Sequence, residues 1–205
     1  MGYEQTKILH ERDEREFGEL MSKFGEVLKS SPKQDRFDHF DLTCQLFNES
    51  GPKRVDVKSV KRKNRNDVIP NDKIHWVEET NVNGKKGWLF GKADYFAFQT
   101  NKQWVIVKKK KLQDLIKEKC PDPKIYSYKK LYKRYRRINK NDPEKSRFDS
   151  VILIETSELI KISELIYDRD INYVDINDIK EEIPQYNQII EFTPKTLISI
   201  INPIY

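Results

Sequence analysis

The chain has 205 residues, with 39 Lys and Arg against 33 Asp and Glu and a formal net charge of +6. At 35% charged and 37% apolar residues it reads as a heavily charged globular protein with a real core, not as a disordered chain. No apolar run nears the roughly 18 residues of a membrane span, and Met1 to Arg15 offers no signal-peptide stretch, so a cytoplasmic protein without membrane contact is expected. Glu11 to Lys29 sets Phe17, Leu20, Met21, Phe24, Val27 and Leu28 at helical steps, which predicts an amphipathic helix ended by Ser30-Ser31-Pro32. Phe37 to Phe47 and Lys53 to Arg62 flank the turn residues 48–52 and predict a β-hairpin. After a polar loop, Lys63 to Asp72, a third strand is predicted over Lys73 to Thr80, carrying Trp76. A turn over residues 81–87 precedes Trp88-Leu89-Phe90-Gly91, a core strand over Ala93 to Phe98 and a further strand over Trp104 to Val107. Leu112 to Lys119 reads as a helix that stops before Cys120-Pro121.

Beyond Pro121 the sequence turns Tyr- and Lys-rich, before an apolar run at Val151 to Ile154 and a helical pattern over Ser157 to Tyr167. The reading is an α/β (α+β) fold, a mixed central sheet flanked by helices. Its core is expected over residues 1–120, with an extension over residues 121–205 that ends in an apolar Ile-rich tail. Trp104 to Leu112 and Val151 to Leu159 share a strand-then-helix pattern, a parallel too short to establish a repeat.

Cys44 and Cys120 stand alone, and His10, His39 and His75 lack the short spacings of helical or finger metal sites. Any metal is therefore expected to have oxygen ligands. The hairpin carries the candidate chemistry. Strand alternation puts Asp56 and Lys58 on the face opposite Val55 and Val57, and Asp41 on the partner strand can reach them. Two converging carboxylates suit a hard divalent cation such as Mg²⁺, with the Val57 carbonyl as a further candidate ligand. A neighbouring ammonium offsets charge on a phosphorane-like transition state. Asp122-Pro123-Lys124 and Asp178-Ile179-Lys180 share the acid-x-Lys spacing, but neither follows a strand pair. The competing reading of Asp56 and Lys58 is an exposed cross-strand ion pair.

Phe40-Asp41-Leu42, Val55-Asp56-Val57-Lys58-Ser59 and the preceding helix with Glu16 and Glu19 resemble the PD-(D/E)xK nucleases, in particular small phage-encoded ones, over roughly residues 11 to 110. The resemblance implies a restriction-endonuclease-like core and Mg²⁺- or Mn²⁺-dependent cleavage of DNA or, less often, RNA. By motif position Asp41 and Asp56 would be metal ligands and Lys58 the catalytic lysine. The helix acid would be Glu19 in preference to Glu16. The proline of the motif is replaced by Phe40, and Asp38 competes with Asp41 as ligand.

Lys61, Arg62, Lys63 and Arg65 run out of this site, where a nuclease needs cations to hold phosphates. Lys129 to Arg137, including Arg134, Arg136 and Arg137, interleaves basic with aromatic residues, a pattern suited to phosphate contact plus base stacking and equally to tyrosines packed inward. A homodimer would suit the cutting of both strands. Two other function classes stay open: an inert nucleic-acid-binding or virion-associated protein that keeps the fold, and an interaction protein docking through residues 191–205.

Overall fold

The structure is a computed structural model that describes residues 3–46, 49–60, 70–136 and 148–169, with side chains from His10 onward. The candidate phosphate-holding residues Lys61, Arg62, Lys63, Arg65 and Arg137 and the C-terminal tail therefore lie outside the described residues. Among the described residues the fold is mixed α/β, with four helices and two mixed sheets.

Helix α1 covers Tyr3–Ser22, ends seven residues before the predicted boundary at Lys29, and is followed by strand β1, Val27–Lys29. Ser31 does not end a helix but starts one. It caps α2, Pro32–Asp38, by a reciprocal capping box with Gln34, and Pro32 fills the first turn where its missing N–H costs nothing. The predicted strand from Phe37 is correspondingly reduced to β2, Leu42–Cys44, which pairs antiparallel with β3, Lys53–Lys58.

The first sheet adds β5, Tyr95–Gln99, and β6, Gln103–Lys108, and its order is β1-β2-β3-β5-β6-β10, with β10 spanning Leu165–Asp168. Strand β3 runs parallel to β5 and antiparallel to β2. A parallel neighbour requires a crossover. That crossover carries β4, Ile74–Thr80, into a second sheet of order β4-β9-β8-β7, where it pairs with β9, Ser150–Glu155. The short strands β7, Ile125–Tyr126, and β8, Arg134–Tyr135, complete that sheet in the segment read from sequence as basic and aromatic.

The 121–169 segment is thus not an appendage to a core ending at residue 120. Strand β9 is the main partner of β4, and β10 closes the first sheet against β6. The strand-then-helix parallel is real in form. Strand β6 runs into α3, Lys109–Lys119, and β9 into α4, Thr156–Ile162, although the two units serve different sheets. Trp88–Phe90 is a single 3₁₀ turn.

One core lies on the α1 face of the first sheet, joining Phe17 and Met21 to Leu42, Val55, Val57, Ala97, Trp104 and Ile106. The other lies between the sheets and under α3 and α4, joining Phe96, Phe98, Val107, Leu112 and Ile116 to Val77, Ile152 and Ile154. Both faces of β3 are therefore covered.

His75 on β4 is buried in this second region, its Nε2 has no hydrogen-bond partner, and its ring meets Phe98 edge-on at 5.1 Å. Burial lowers its pKa to about 4. Between the ordinary imidazole value and 4 the unfolded chain binds the proton that the folded one refuses, so stability falls as pH drops through that window. Replacing His75 by Phe should remove a loss on the order of 2 kcal/mol between pH 7 and pH 4.5. Urea denaturation of both proteins at the two pH values checks this, and equal slopes would refute it.

Candidate active site

The site assembles around the first residues of β2 and the middle of β3. The Asp41 N–H donates to the Val55 carbonyl at 2.9 Å, and Asp41 Oδ2 accepts from the Val57 N–H at 2.7 Å. The carboxylate is thereby clamped onto the β3 backbone. Asp56 and Lys58 lie on one side of β3, as alternation requires, with Asp56 Oδ1 2.6 Å from Lys58 Nζ. Asp41, Asp56 and Lys58 are thus brought together. The side chain of Asp38 is directed elsewhere, to Lys92 Nζ at 2.9 Å.

These groups are not a surface ion pair. The side chains of Asp56 and Lys58 are 4% and 17% exposed, because β3 is an interior strand. Lys58 is sandwiched between Asp56 and the face of Trp88, its Nζ 4.5 Å from the ring centroid. Trp88 is itself placed by a close fit. A Cβ on Gly91 would meet the Asp38 carbonyl at 2.8 Å and the His39 Cβ at 2.6 Å, so only glycine lets the 3₁₀ turn press against the end of α2. Asp94 forks onto Arg54, accepting from Nε at 3.0 Å and Nη2 at 2.9 Å, and fixes β5 beside β3.

Burial, then the adjacent Asp56 charge, pushes Asp41 up to about 7 against the opposing pull of Lys58, the Val57 N–H and His10. Burial raises Asp56 also, against Lys58 and Asp41. Asp56 Oδ2 is buried with no hydrogen-bond partner. A carboxylate oxygen in that position is satisfied by a shared proton or by a cation.

The helix acid differs from the expectation. Glu19 is exposed, roughly 140° around α1 from Glu14, and does not join the site. Glu16 is engaged elsewhere, accepting from Trp104 Nε1 at 3.2 Å and from Arg169 Nε and Nη2 at 2.6 Å each. The helix residues that do arrive are His10 and Glu14, one turn apart. With Asp41 they offer ligand atoms within 4.8 Å of one another. Glu14 is held by Lys29 at 3.1 Å, and its pKa is raised by burial and then by Asp41. His10 Nδ1 lies 3.4 Å from Ser59 Oγ and 3.7 Å from Glu14 Oε1.

A signal for both residues was present. Stepping back from Met21 and Phe17 by three and four positions leads to Glu14 and His10, so the polar pair continues the buried stripe of the helix. The donor set fits a divalent cation. It combines carboxylates with an imidazole, a different candidate set from the all-oxygen one expected from the sequence.

The basic residues divide. Arg134 is committed to structure, donating to Glu79 from Nε at 2.6 Å and Nη2 at 2.8 Å and from Nη1 to the Cys120 and Asp122 carbonyls at 2.7 Å each. Four of its five N–H donors are thus used within the protein, which ties the side chain to the fold and leaves little of it for a phosphate. Arg136 lies half-buried over Phe148, 5.9 Å from the ring centroid. No family model, curated protein or solved structure matches the chain, and among the described residues no helix is long and apolar enough to cross a membrane.

A raised carboxyl pKa means that the folded protein keeps a proton the unfolded chain has lost. Its stabilising effect is full below the ordinary Asp value and disappears as pH rises through about 7. Asp41→Asn should therefore melt more nearly independently of pH, gaining about 5 °C on the parent at pH 8 in EDTA and little at pH 4.5. Thermal melts across that range check it; parallel curves would remove Asp41 as the group responsible.

Proposed function

We propose that the protein is a metal-dependent nuclease of the PD-(D/E)xK kind with a restriction-endonuclease-like core, hydrolysing phosphodiester bonds of DNA. The observation that carries this reading is Asp56. It is a carboxylate on an interior strand, paired through one oxygen to Lys58, with its other oxygen buried away from backbone and lysine donors and Asp41 as the neighbouring carboxyl that can share a proton with it.

Asp41 and Asp56 would hold the cation, Mg²⁺ or Mn²⁺, joined by His10 and Glu14 from α1 and by the Val57 carbonyl as a further candidate. When bound, the cation lowers the pKa of its water and polarises a phosphoryl oxygen. The chain does the rest. Lys58, restrained by Asp56 and Trp88, presents an ammonium that can orient the attacking water and offset charge on the phosphate. The Val57 N–H keeps Asp41 aimed, and Lys29 keeps Glu14 aimed. The imidazole favours Mn²⁺ over Mg²⁺, which keeps mostly oxygen ligands.

Supercoiled plasmid incubated with the protein and Mn²⁺ or Mg²⁺ should be nicked. Asp56→Ala and Lys58→Ala, shown to be folded by circular dichroism, should each lower the rate on the order of 100-fold or more. Failure to cut plasmid, single strands, branched DNA or RNA would leave an inert binding protein as the better account. Independently of cleavage, His10→Ala should weaken Mn²⁺ binding, read by electron paramagnetic resonance, about tenfold while changing Mg²⁺ binding much less. An unchanged Mn²⁺ titration would exclude the imidazole from the site.

A further inference from the structure

The edge of the second sheet carries a group of side chains that the candidate active site does not use. Between Pro121 and Arg136 there are six basic residues against one acid, Asp122. The segment is largely on the surface, with Tyr128 54% and Ile125 41% exposed. Its aromatic rings are organised. Tyr126 and Tyr128 lie 5.3 Å apart, Lys124 and Lys133 stand 5.2 and 5.9 Å from the Tyr126 centroid, and Lys129 stands 4.6 Å from the Trp76 centroid.

The scaffold under these groups is tied down. Arg134 anchors β8 to Glu79 and to the Cys120 and Asp122 carbonyls, while Tyr126 Oη donates to Asp122 Oδ2 at 2.8 Å. The Arg136 N–H donates to the Tyr126 carbonyl at 2.9 Å, pairing the base of the patch with β8. Tyr126 is thus presented on a strand and Tyr128 on the bend that follows it, within a segment fastened to the sheet.

From this arrangement we infer that the β7–β8 edge is a binding face for single-stranded nucleic acid, separate from the cleavage centre, with Tyr126 and Tyr128 stacking bases while Lys124, Lys129 and Lys133 hold phosphates. The chemistry is an exchange. A lysine over a ring satisfies the ring's negative face, and an unpaired nucleotide brings a planar base and an anion together, so the base takes the ring and the ammonium takes the phosphate. A paired duplex hides its base faces and cannot make the first half of that exchange. Arg134 is spent on Glu79, and Lys133 stands 3.5 Å from Asp122, a partly exposed pair that a phosphate can displace; the remaining excess of cations in the segment supplies the charge complementarity that selects a polyanion.

The experiment uses the full chain in EDTA, so that neither metal nor cleavage enters, and follows the anisotropy of a labelled 15-nucleotide oligo(dT) and of a duplex of equal length. Tyr126→Ala with Tyr128→Ala is expected to weaken oligo(dT) binding about tenfold or more and leave duplex binding within a factor of two. Lys124→Gln with Lys129→Gln and Lys133→Gln should weaken binding and flatten its salt dependence. Tyr126→Phe with Tyr128→Phe, which keeps the rings, should bind nearly as the parent does. Loss in the lysine variant alone, equal binding of duplex and single strand, or no effect of either set would overturn the inference. A parent chain that binds oligo(dT) in EDTA through this face but cuts no substrate with Mn²⁺ or Mg²⁺ would retire the nuclease reading and retain this one.

Discussion

The organisation of this protein depends on one costly placement, a carboxylate and an ammonium on a strand covered on both faces. Removing Asp56 from water is unfavourable, and the 2.6 Å pair with Lys58 offsets only part of that cost. What remains is borne by the surroundings. The apolar cores on either side of β3, the Arg54–Asp94 fork between β3 and β5, and the tight seat of Gly91 under α2 hold the strand where solvent cannot relax it. Lys58 has Trp88 on one side and Asp56 on the other, so its ammonium is restrained without being neutralised by a bidentate partner.

Helix α1 resolves a second demand, that the same element both seal a core and reach a polar centre. Its buried stripe is divided along its length. Phe17 and Met21 pack beneath the first sheet, and one or two turns earlier the stripe becomes Glu14 and His10 beside Asp41. Packing at the C-terminal end of the helix therefore sets the position of His10 and Glu14 toward the other end. Glu16 reinforces this by tying α1 to Trp104 on β6 and to Arg169 after β10, so the helix is anchored to the far side of the first sheet as well.

Much of this was legible. Alternation in Val55-Asp56-Val57-Lys58 was enough to join the acid and the lysine on one side of a strand, and the turn residues before it were enough to bring Asp41 across. The misreadings have local causes. Ser31-Pro32 both stops one pattern and caps the next, and only the Gln34 partner distinguishes the two roles. The acid on α1 was sought among residues inside the apolar pattern, whereas Glu14 and His10 extend that pattern where it becomes polar. Strand β4 looked like a third member of one sheet because alternation tells which residues face a core but not which strand lies alongside. Its partner, Val151 to Ile154, lies beyond a change of composition that was read as a boundary. Arg134 looked like a phosphate ligand for a related reason. Its commitment to Glu79 is a contact between residues far apart in the chain.

Two structural readings of the Asp56–Lys58 pair compete with the proposed catalytic one, and the geometry weighs on each differently. An exposed ion pair needs solvent around it, and side-chain exposures of 4% and 17% exclude that. A buried salt bridge kept for stability alone should be fully satisfied, since a buried pair is often no better than apolar residues of the same volume and a half-satisfied one is worse. Here Asp56 Oδ2 has no backbone or lysine donor, and its neighbour is a second buried carboxyl, Asp41, pushed up to about 7 by burial and by Asp56, so a proton shared between the two is lost as pH rises through that value. An arrangement that accumulates carboxylates and leaves one oxygen unmet is poorly suited to stabilising the empty fold. On the proposed reading a bound cation would offset that cost, and the groups whose ligand atoms already converge are His10, Glu14 and Asp41.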